Sequence, residues 1–351
     1  MNFFDQKDYI KDLEYICAGS PVGELEGSSV LIAGAGGLIA SQLTEALLWY
    51  DLAAEHKIRV TALMRDRKKA EERFAAHLGK PYFSLLIQDV TEPVKDESVR
   101  PDYIVHAACS AHPIAYAEDP VGVMRANFLG TDNLMKLAVR SGSRSFLLVS
   151  SSEVYGEDSS VTEWKEDMSG HTDPVNPRNC YGESKRAAEA LCSSYSKQYG
   201  IRTVSVRPGH VYGPAMTRTN SRADAQFFRN ALAGENILMK SPGLQMRSYQ
   251  YSADTVCGIL TALVRGESMN AYNIANPASN VTIRDFAEAI AREAGVEIEF
   301  SDPDFREKSG YSLMSRSVLN IDKLRSLGWE PGIGLEEGVR RTAAILKGCG
   351  Y

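Results

Sequence analysis

Ser29-Val30-Leu31-Ile32-Ala33-Gly34-Ala35-Gly36-Gly37-Leu38-Ile39-Ala40 is the stretch that decides the fold. Ser29 to Ala33 reads as a buried strand, and the helix after the glycines carries Leu43, Ala46, Leu47 and Tyr50 on one face. The glycines between them let the backbone turn sharply and approach a pyrophosphate, whose charge is met by free amides at the helix N-terminus. Ala40 is small enough for the helix to pack closely on the strand. Glycine clusters also serve ligand-free tight turns, and it is the strand-turn-helix context that favours a dinucleotide. Gly34, Gly36, Gly37, Leu38 and Ile39 are therefore candidate cofactor contacts.

Outward from this unit, aliphatic runs alternate with amphipathic stretches. Strands are expected at Arg59 to Met64, Tyr82 to Ile87, Tyr103 to His106, Ser145 to Ser150 and Arg202 to Arg207. Together with the first they predict an α/β fold with a Rossmann-type, doubly wound parallel sheet. After Gly213 and Pro214 the alternation weakens, which points to a smaller mixed α/β C-terminal substrate lobe. The expected division is a helical extension over 1–27, a dinucleotide-binding domain over 28–213 to which 247–266 returns, and a lobe comprising most of 214–345. In the extension, Phe4, Tyr9, Ile10, Leu13 and Ile16 recur at helical spacing, the pattern of a helix laid on the main body.

The 351 residues carry a net charge of -6 with no basic block, which argues against a nucleic-acid surface. The six cysteines, Cys17, Cys109, Cys180, Cys192, Cys257 and Cys349, have no paired spacing, so neither a disulfide framework nor a metal site is expected. Free thiols fit a reducing compartment, and a cytoplasmic location is expected. Charged residues interrupt the N-terminal apolar positions as no secretion signal would, and no run is long enough to span a membrane.

At the end of the second strand, where an acidic residue usually holds the ribose hydroxyls, stand Arg65, Asp66 and Arg67. Arg65 suits an adenine face, a 2′-phosphate, or solvent. Asp89, with Val90 next to it just after the third strand, is a candidate for the adenine amino group, with a solvated loop carboxylate as the alternative.

Tyr181 and Lys185 stand four apart in a strongly helical run and share one face. An ammonium beside a phenol favours phenolate, and the pair is expected to lower the Tyr181 pKa so that it can take a proton from a hydroxyl. The second element is Val149-Ser150-Ser151-Ser152-Glu153-Val154-Tyr155-Gly156, at the C-terminal end of a buried strand where ligand chemistry gathers in parallel sheets. Ser151 is placed to hydrogen-bond the reacting oxygen, with Ser152 and Glu153 reaching a neighbouring ring position. Taken alone, the segment also reads as a serine-rich turn.

These motifs in this order resemble the extended short-chain dehydrogenase/reductases of the NAD-dependent epimerase/dehydratase family over nearly the whole chain after residue 28. The resemblance adds His106-Ala107-Ala108, Asn127 with Gly130-Thr131, Arg207 through Tyr212-Gly213-Pro214, and Gly328-Trp329-Glu330-Pro331. It implies NAD in preference to NADP, and cofactor roles for Ala107, Ala108 and Asn127 beside Tyr181 and Lys185. Pro177-Arg178-Asn179-Cys180-Tyr181 and Lys185-Arg186-Ala187-Ala188-Glu189 look most like UDP-glucuronate decarboxylases. Ser152 stands where 4,6-dehydratases carry Asp, and Glu153 where 4-epimerases lack Glu. Where relatives often place a substrate-contacting Asn, this chain has His210, a substrate contact or a packed loop histidine. The resemblance further implies that Arg247, Arg316 and, third, Arg222 face a nucleotide sugar, that Tyr272 to Pro277 is a strand and turn framing the smaller lobe, and that the chain forms a homodimer.

The activity that this resemblance implies is that of a lyase or isomerase working through a 4-keto sugar. UDP-glucuronate decarboxylation stands first, 4-epimerisation or 4,6-dehydration second. A non-catalytic dinucleotide sensor and a simple NADP-linked reductase are the rival classes.

Overall fold

Runs such as Val30-Leu31-Ile32 offer no polar side chain to water, so they pair side by side in a sheet covered on both faces. The computed structural model describes residues 3–55, 57–216, 220–302 and 314–350. β1 (Ser29–Ala33), β2 (Arg59–Met64), β3 (Phe83–Ile87), β4 (Tyr103–His106), β5 (Ser145–Val149) and β6 (Thr203–Pro208) all lie in one parallel sheet. β7 (His210–Tyr212), β8 (Ile237–Met239) and β9 (Met246–Tyr251) lie outside it, and β10 (Asn270–Ile274) joins its edge. The order of the seven strands is β10-β6-β5-β4-β1-β2-β3, so the order in which strands are added reverses between β1 and β4 while all remain parallel. Such a switch point opens a crevice at the carboxyl ends of the strands.

Alternation along each strand divides the core. Val30 and Ile32 face one cluster, Leu31 and Ala33 the other; in β5, Leu147 and Val149 oppose Phe146 and Leu148 in the same way. Helices α1 (Lys7–Gly19), α2 (Leu38–Ala53), α3 (Arg67–Arg73), α4 (Pro113–Glu118), α5 (Pro120–Ser141), α6 (Cys180–Tyr199), α7 (Ala223–Leu232), α8 (Ser252–Arg265) and α9 (Ile283–Ala294) surround the strands. Leu134 and Ala138 of α5 and Ala188 and Cys192 of α6 cover one face. Leu43, Leu47 and the apolar side of α8 cover the other.

The smaller sheets are mixed. β9 pairs antiparallel with β11 (Asn280–Thr282) and parallel with β7 and β13 (Arg316–Ser317); β12 (Ile298–Phe300) pairs with β8. The segment Tyr272 to Ile274, expected to frame the smaller lobe, instead runs parallel to β6 as a seventh strand of the main sheet. α8 carries the chain back across the sheet, and burial of its apolar side is what draws β10 to that edge.

α1 is fixed by more than its apolar stripe. Tyr9, Leu13 and Ile16 are buried, and so is Asp12, which accepts hydrogen bonds from the Tyr251 hydroxyl and from Arg341 at 2.8 Å. The Tyr15 hydroxyl donates to Asp254 at 2.6 Å, and Asp254 also accepts from the amides of Gly332 and Ile333. Trp329, expected in the core, is buried and donates its indole N–H to the Asp254 carbonyl. No helix among the described residues is long and apolar enough to cross a membrane.

Candidate functional site

The crevice at the switch point is a cleft of about 1750 Å³ lined from the ends of β1 to β6 and from the smaller sheets. That exceeds the span typical of a drug-sized site, roughly 300–1,000 Å³, and leaves room for two ligands side by side. Gly34 turns at φ +81°, and a Cβ added there would stand 2.6 Å from Ala108 Cα, so the turns after β1 and β4 meet backbone to backbone. Gly37 caps α2 with no side-chain hydrogen bond, leaving the first-turn amides without a side-chain acceptor, as an anion site requires. The residues present therefore fit a dinucleotide pyrophosphate. Gly34→Ala is expected to destabilise the protein by about 1–3 kcal/mol through the positive φ and the contact with Ala108. Urea denaturation measures it, and an unchanged midpoint would remove the steric argument.

On this side of the cleft Leu38, Ile39, Arg65, Asp89, Val90, Ala107 and Ala108 all line the wall. Asp89 accepts from the Thr91 amide at 2.9 Å and hydroxyl at 2.8 Å; hydrogen bonding to Thr91 is the chief cause that holds its carboxyl below the usual range. Asn127 is fully buried beneath the wall, where its amide donates to Ser184 Oγ at 2.9 Å.

α6 begins at Cys180 directly after the turn Pro177–Asn179, which puts Tyr181 in its first turn and Lys185 one turn on, both facing the cleft. Ser151, Ser152 and Glu153 reach the same space from the end of β5. Tyr181 and Lys185 are 8% and 2% exposed. Burial is the largest influence on the phenol and, with Cys109 and Glu153, holds its pKa above the ordinary tyrosine value, while a hydrogen bond with Ser151 pulls it down. The Nζ of Lys185, the residue expected to lower that pKa, donates to the Val149 carbonyl at 2.7 Å, stands 5.9 Å from the Tyr181 ring centre, and is itself depressed by burial.

Two residues had no role from the sequence. Tyr116, on α4, stacks on Tyr181 with ring centres 5.1 Å apart, and the Arg178 guanidinium lies 4.8 Å from the centre of the Tyr116 ring. Arg178 Nη1 is also 3.1 Å from Glu153 Oε2, so a carboxylate, a guanidinium and two phenol rings form one continuous assembly. Arg178 carried a signal, lying three residues before Tyr181 in the run Pro177 to Tyr181. Tyr116 carried none, because only tertiary packing brings α4 to α6.

His210, Arg222 and Arg247 meet on the opposite wall. Arg222 Nη2 donates to the Val211 carbonyl at 2.9 Å and to Asp224 at 2.8 Å; Arg247 donates to the Met246 and Met314 carbonyls, each at 2.8 Å. Burial first, then the charges of Arg247 and Arg222, hold the His210 imidazole well below the usual histidine pKa, so it is neutral at pH 7. Arg316 does not join this group. Alternation in β13 turns Ser317 inward and leaves the Arg316 side chain exposed, and it does not line the cleft. Among the described residues no group of His, Cys, Asp and Glu is arranged to hold a metal.

Residues 30–275 match the model of the NAD dependent epimerase/dehydratase family. UDP-glucuronic acid decarboxylase 5 of Arabidopsis thaliana is 34% identical over 315 residues, covering 88% of this chain and 86% of that relative. UDP-glucuronic acid decarboxylase 1 of Xenopus tropicalis is 34% identical over 330 residues, covering 92% of this chain and 72% of that relative. The crystal structure of UDP-glucuronic acid 4-epimerase from Bacillus cereus, in complex with UDP-glucuronic acid and NAD, superposes with a TM-score of 0.77 at 21% identity. It covers 92% of this chain and 99% of that one, a likeness of fold.

Proposed function

The chain belongs to the NAD dependent epimerase/dehydratase family, and from that premise we propose that it is an enzyme that remodels the sugar of a nucleotide-activated sugar through a 4-keto intermediate. Decarboxylation of UDP-glucuronate is the reaction the cleft supports best. The observation that carries it is the assembly of Ser151, Glu153, Tyr181 and Arg178 at one point of the cleft, within a chain 34% identical to UDP-glucuronic acid decarboxylases.

Gly34, Gly36, Gly37 and the first turn of α2 would hold the pyrophosphate of a nicotinamide dinucleotide, with Ala107, Ala108 and Lys185 along its length. When bound, that group supplies a reversible hydride acceptor, so oxidation and re-reduction of the sugar close without an external reductant. Tyr181 takes the proton of the C4 hydroxyl and returns it at the end. Ser151, close enough to Tyr181 to lower its pKa, stabilises the oxygen on which charge changes. With a ketone at C4, the C6 carboxylate of a glucuronate is a β-keto acid; the C5–C6 bond breaks, carbon dioxide leaves, and the electron pair rests on the C4 enolate. The proton that C5 then gains comes from solvent, with Ser152 and Glu153, the latter fixed by Arg178, as the groups at hand to relay it. Arg178 offers a guanidinium suited to a substrate carboxylate, and Arg222, Arg247 and neutral His210 suit a diphosphate.

The test is incubation of the purified protein with UDP-, dTDP-, CDP- and GDP-sugars, UDP-glucuronate included, with products weighed by mass spectrometry. Loss of carbon dioxide from UDP-glucuronate is the expected result. Loss of water would move the assignment to dehydration, a new isomer of equal mass to epimerisation, and no product from any member would leave a binding protein.

A further inference from the structure

We infer that the ribose edge of the dinucleotide site is built for a 2′-phosphate, with Arg65 and Lys69 as its ligands, so that the chain selects the phosphorylated dinucleotide over NAD. This rests on the reading of the cleft as a nicotinamide dinucleotide site and concerns its adenosine end.

An unphosphorylated ribose presents a vicinal diol, and a site that selects it offers a carboxylate as acceptor just past the second strand; a 2′-phosphate calls for cations instead. β2 ends at Met64, and the Met64 side chain leans on the glycine turn, so that a Cβ added at Gly36 would lie 2.4 Å from Met64 Cε. The strand end nearest the turn thus presents a thioether that accepts no strong hydrogen bond. The two carboxylates nearby are both turned to local groups. Asp66 caps α3, its Oδ1 accepting the Lys69 amide at 3.1 Å, and Asp89 accepts the amide and hydroxyl of Thr91.

The cations line the same cleft as these two carboxylates but are less tied to the protein. Arg65 and Lys69 both line the cleft, and Arg65 lies near enough to Asp89 to help hold that carboxyl down. The Arg65 side chain is exposed, and among the described residues no hydrogen bond or salt bridge ties its guanidinium to the protein. Lys69 has only a long contact with Asp66, at 3.8 Å, which a phosphate dianion in the cleft would outcompete. A planar guanidinium grips a terminal phosphate through two parallel hydrogen bonds, whereas a ribose diol next to two cations gains nothing comparable. The hydride cycle is unaffected, since the 2′-phosphate lies at the far end of the cofactor from the nicotinamide.

Fluorescence titration of the full chain with NADPH and NADH, with adenosine 2′,5′-bisphosphate and adenosine 5′-monophosphate as fragment probes, tests this without catalysis. NADPH is expected to bind at least about tenfold tighter than NADH, and the bisphosphate tighter than the monophosphate, the gain of one charge-assisted contact. Arg65→Ala is expected to weaken NADPH about tenfold to a hundredfold and to change NADH by less than about threefold; Lys69→Ala acts in the same direction with a smaller effect. NADH binding as tightly as NADPH, NAD rather than NADP released from the purified protein, or Arg65→Ala weakening both alike overturns the inference while the dinucleotide reading stands. Binding of neither dinucleotide overturns both.

Discussion

Tyr181→Phe protein is expected to bind dinucleotide and nucleotide sugar almost as the parent does and to turn over substrate about 10²–10⁴-fold more slowly, the usual worth of a positioned acid–base group. The substitution removes one oxygen and keeps the ring, so the stack with Tyr116 at 5.1 Å and the burial of the helix start are retained. What disappears is the phenol hydroxyl whose pKa Ser151 lowers, in the first turn of α6 beside the end of β5. Burial raises the pKa of this phenol and Ser151 lowers it, and taking the C4 proton requires the phenolate. Ser151 is the neighbour that favours the phenolate, so Ser151→Ala should slow the reaction as well, by a smaller factor. Rapid mixing that tracks reduced nicotinamide in a single turnover separates the oxidation step from later steps. An unaltered rate in folded, cofactor-loaded Tyr181→Phe protein would end the assignment.

The same residues show which signals survive in a sequence. Strands β1, β2 and β4 were legible to the residue because an aliphatic run between turn signals is a local property, and the glycine turn because positive φ at Gly34 restricts the residue there. Tyr181 and Lys185 were legible because helical spacing alone puts them on one face. The place of β10 was not, since the family resemblance offered a strand there but its position at the edge of the main sheet comes from pairing with β6. The Arg178–Glu153 pair joins residues 25 positions apart, and Tyr116 comes from a separate short helix, so neither contact has a local signature. Arg316 is a different case: its residue type suited a substrate contact, while the alternation of a short strand leaves its side chain exposed and outside the lining of the cleft.

The network that fixes α1 was equally hidden, and it sets up the largest expected effect on stability. Arg341→Met should destabilise the protein by about 3–5 kcal/mol at pH 8, the range for breaking a buried ion pair by removing one partner. Asp12 is 0% exposed, and Arg341 Nη1 is its cationic partner at 2.8 Å, while the Tyr251 hydroxyl donates to the other carboxylate oxygen. Methionine replaces the apolar stem of the arginine, so most of the loss is a carboxylate left unpaired in an apolar setting. Its pH dependence distinguishes this cause from lost packing. Burial raises the Asp12 carboxyl to about 6, against the hydrogen bonds from Tyr251 and Arg341 that pull it down, so without Arg341 it rises further. A folded-state pKa raised above the unfolded value of about 3.9 means the folded protein holds more protons between the two values. Stability from this group is complete below the unfolded pKa and is lost as pH climbs through the folded one. In the variant that loss extends to higher pH, so the difference from the parent should be smallest and level from pH 4 to about 6 and grow from there toward pH 8. Urea midpoints across that range measure it, and a difference that stayed constant with pH would assign the effect to packing and not to the buried charge.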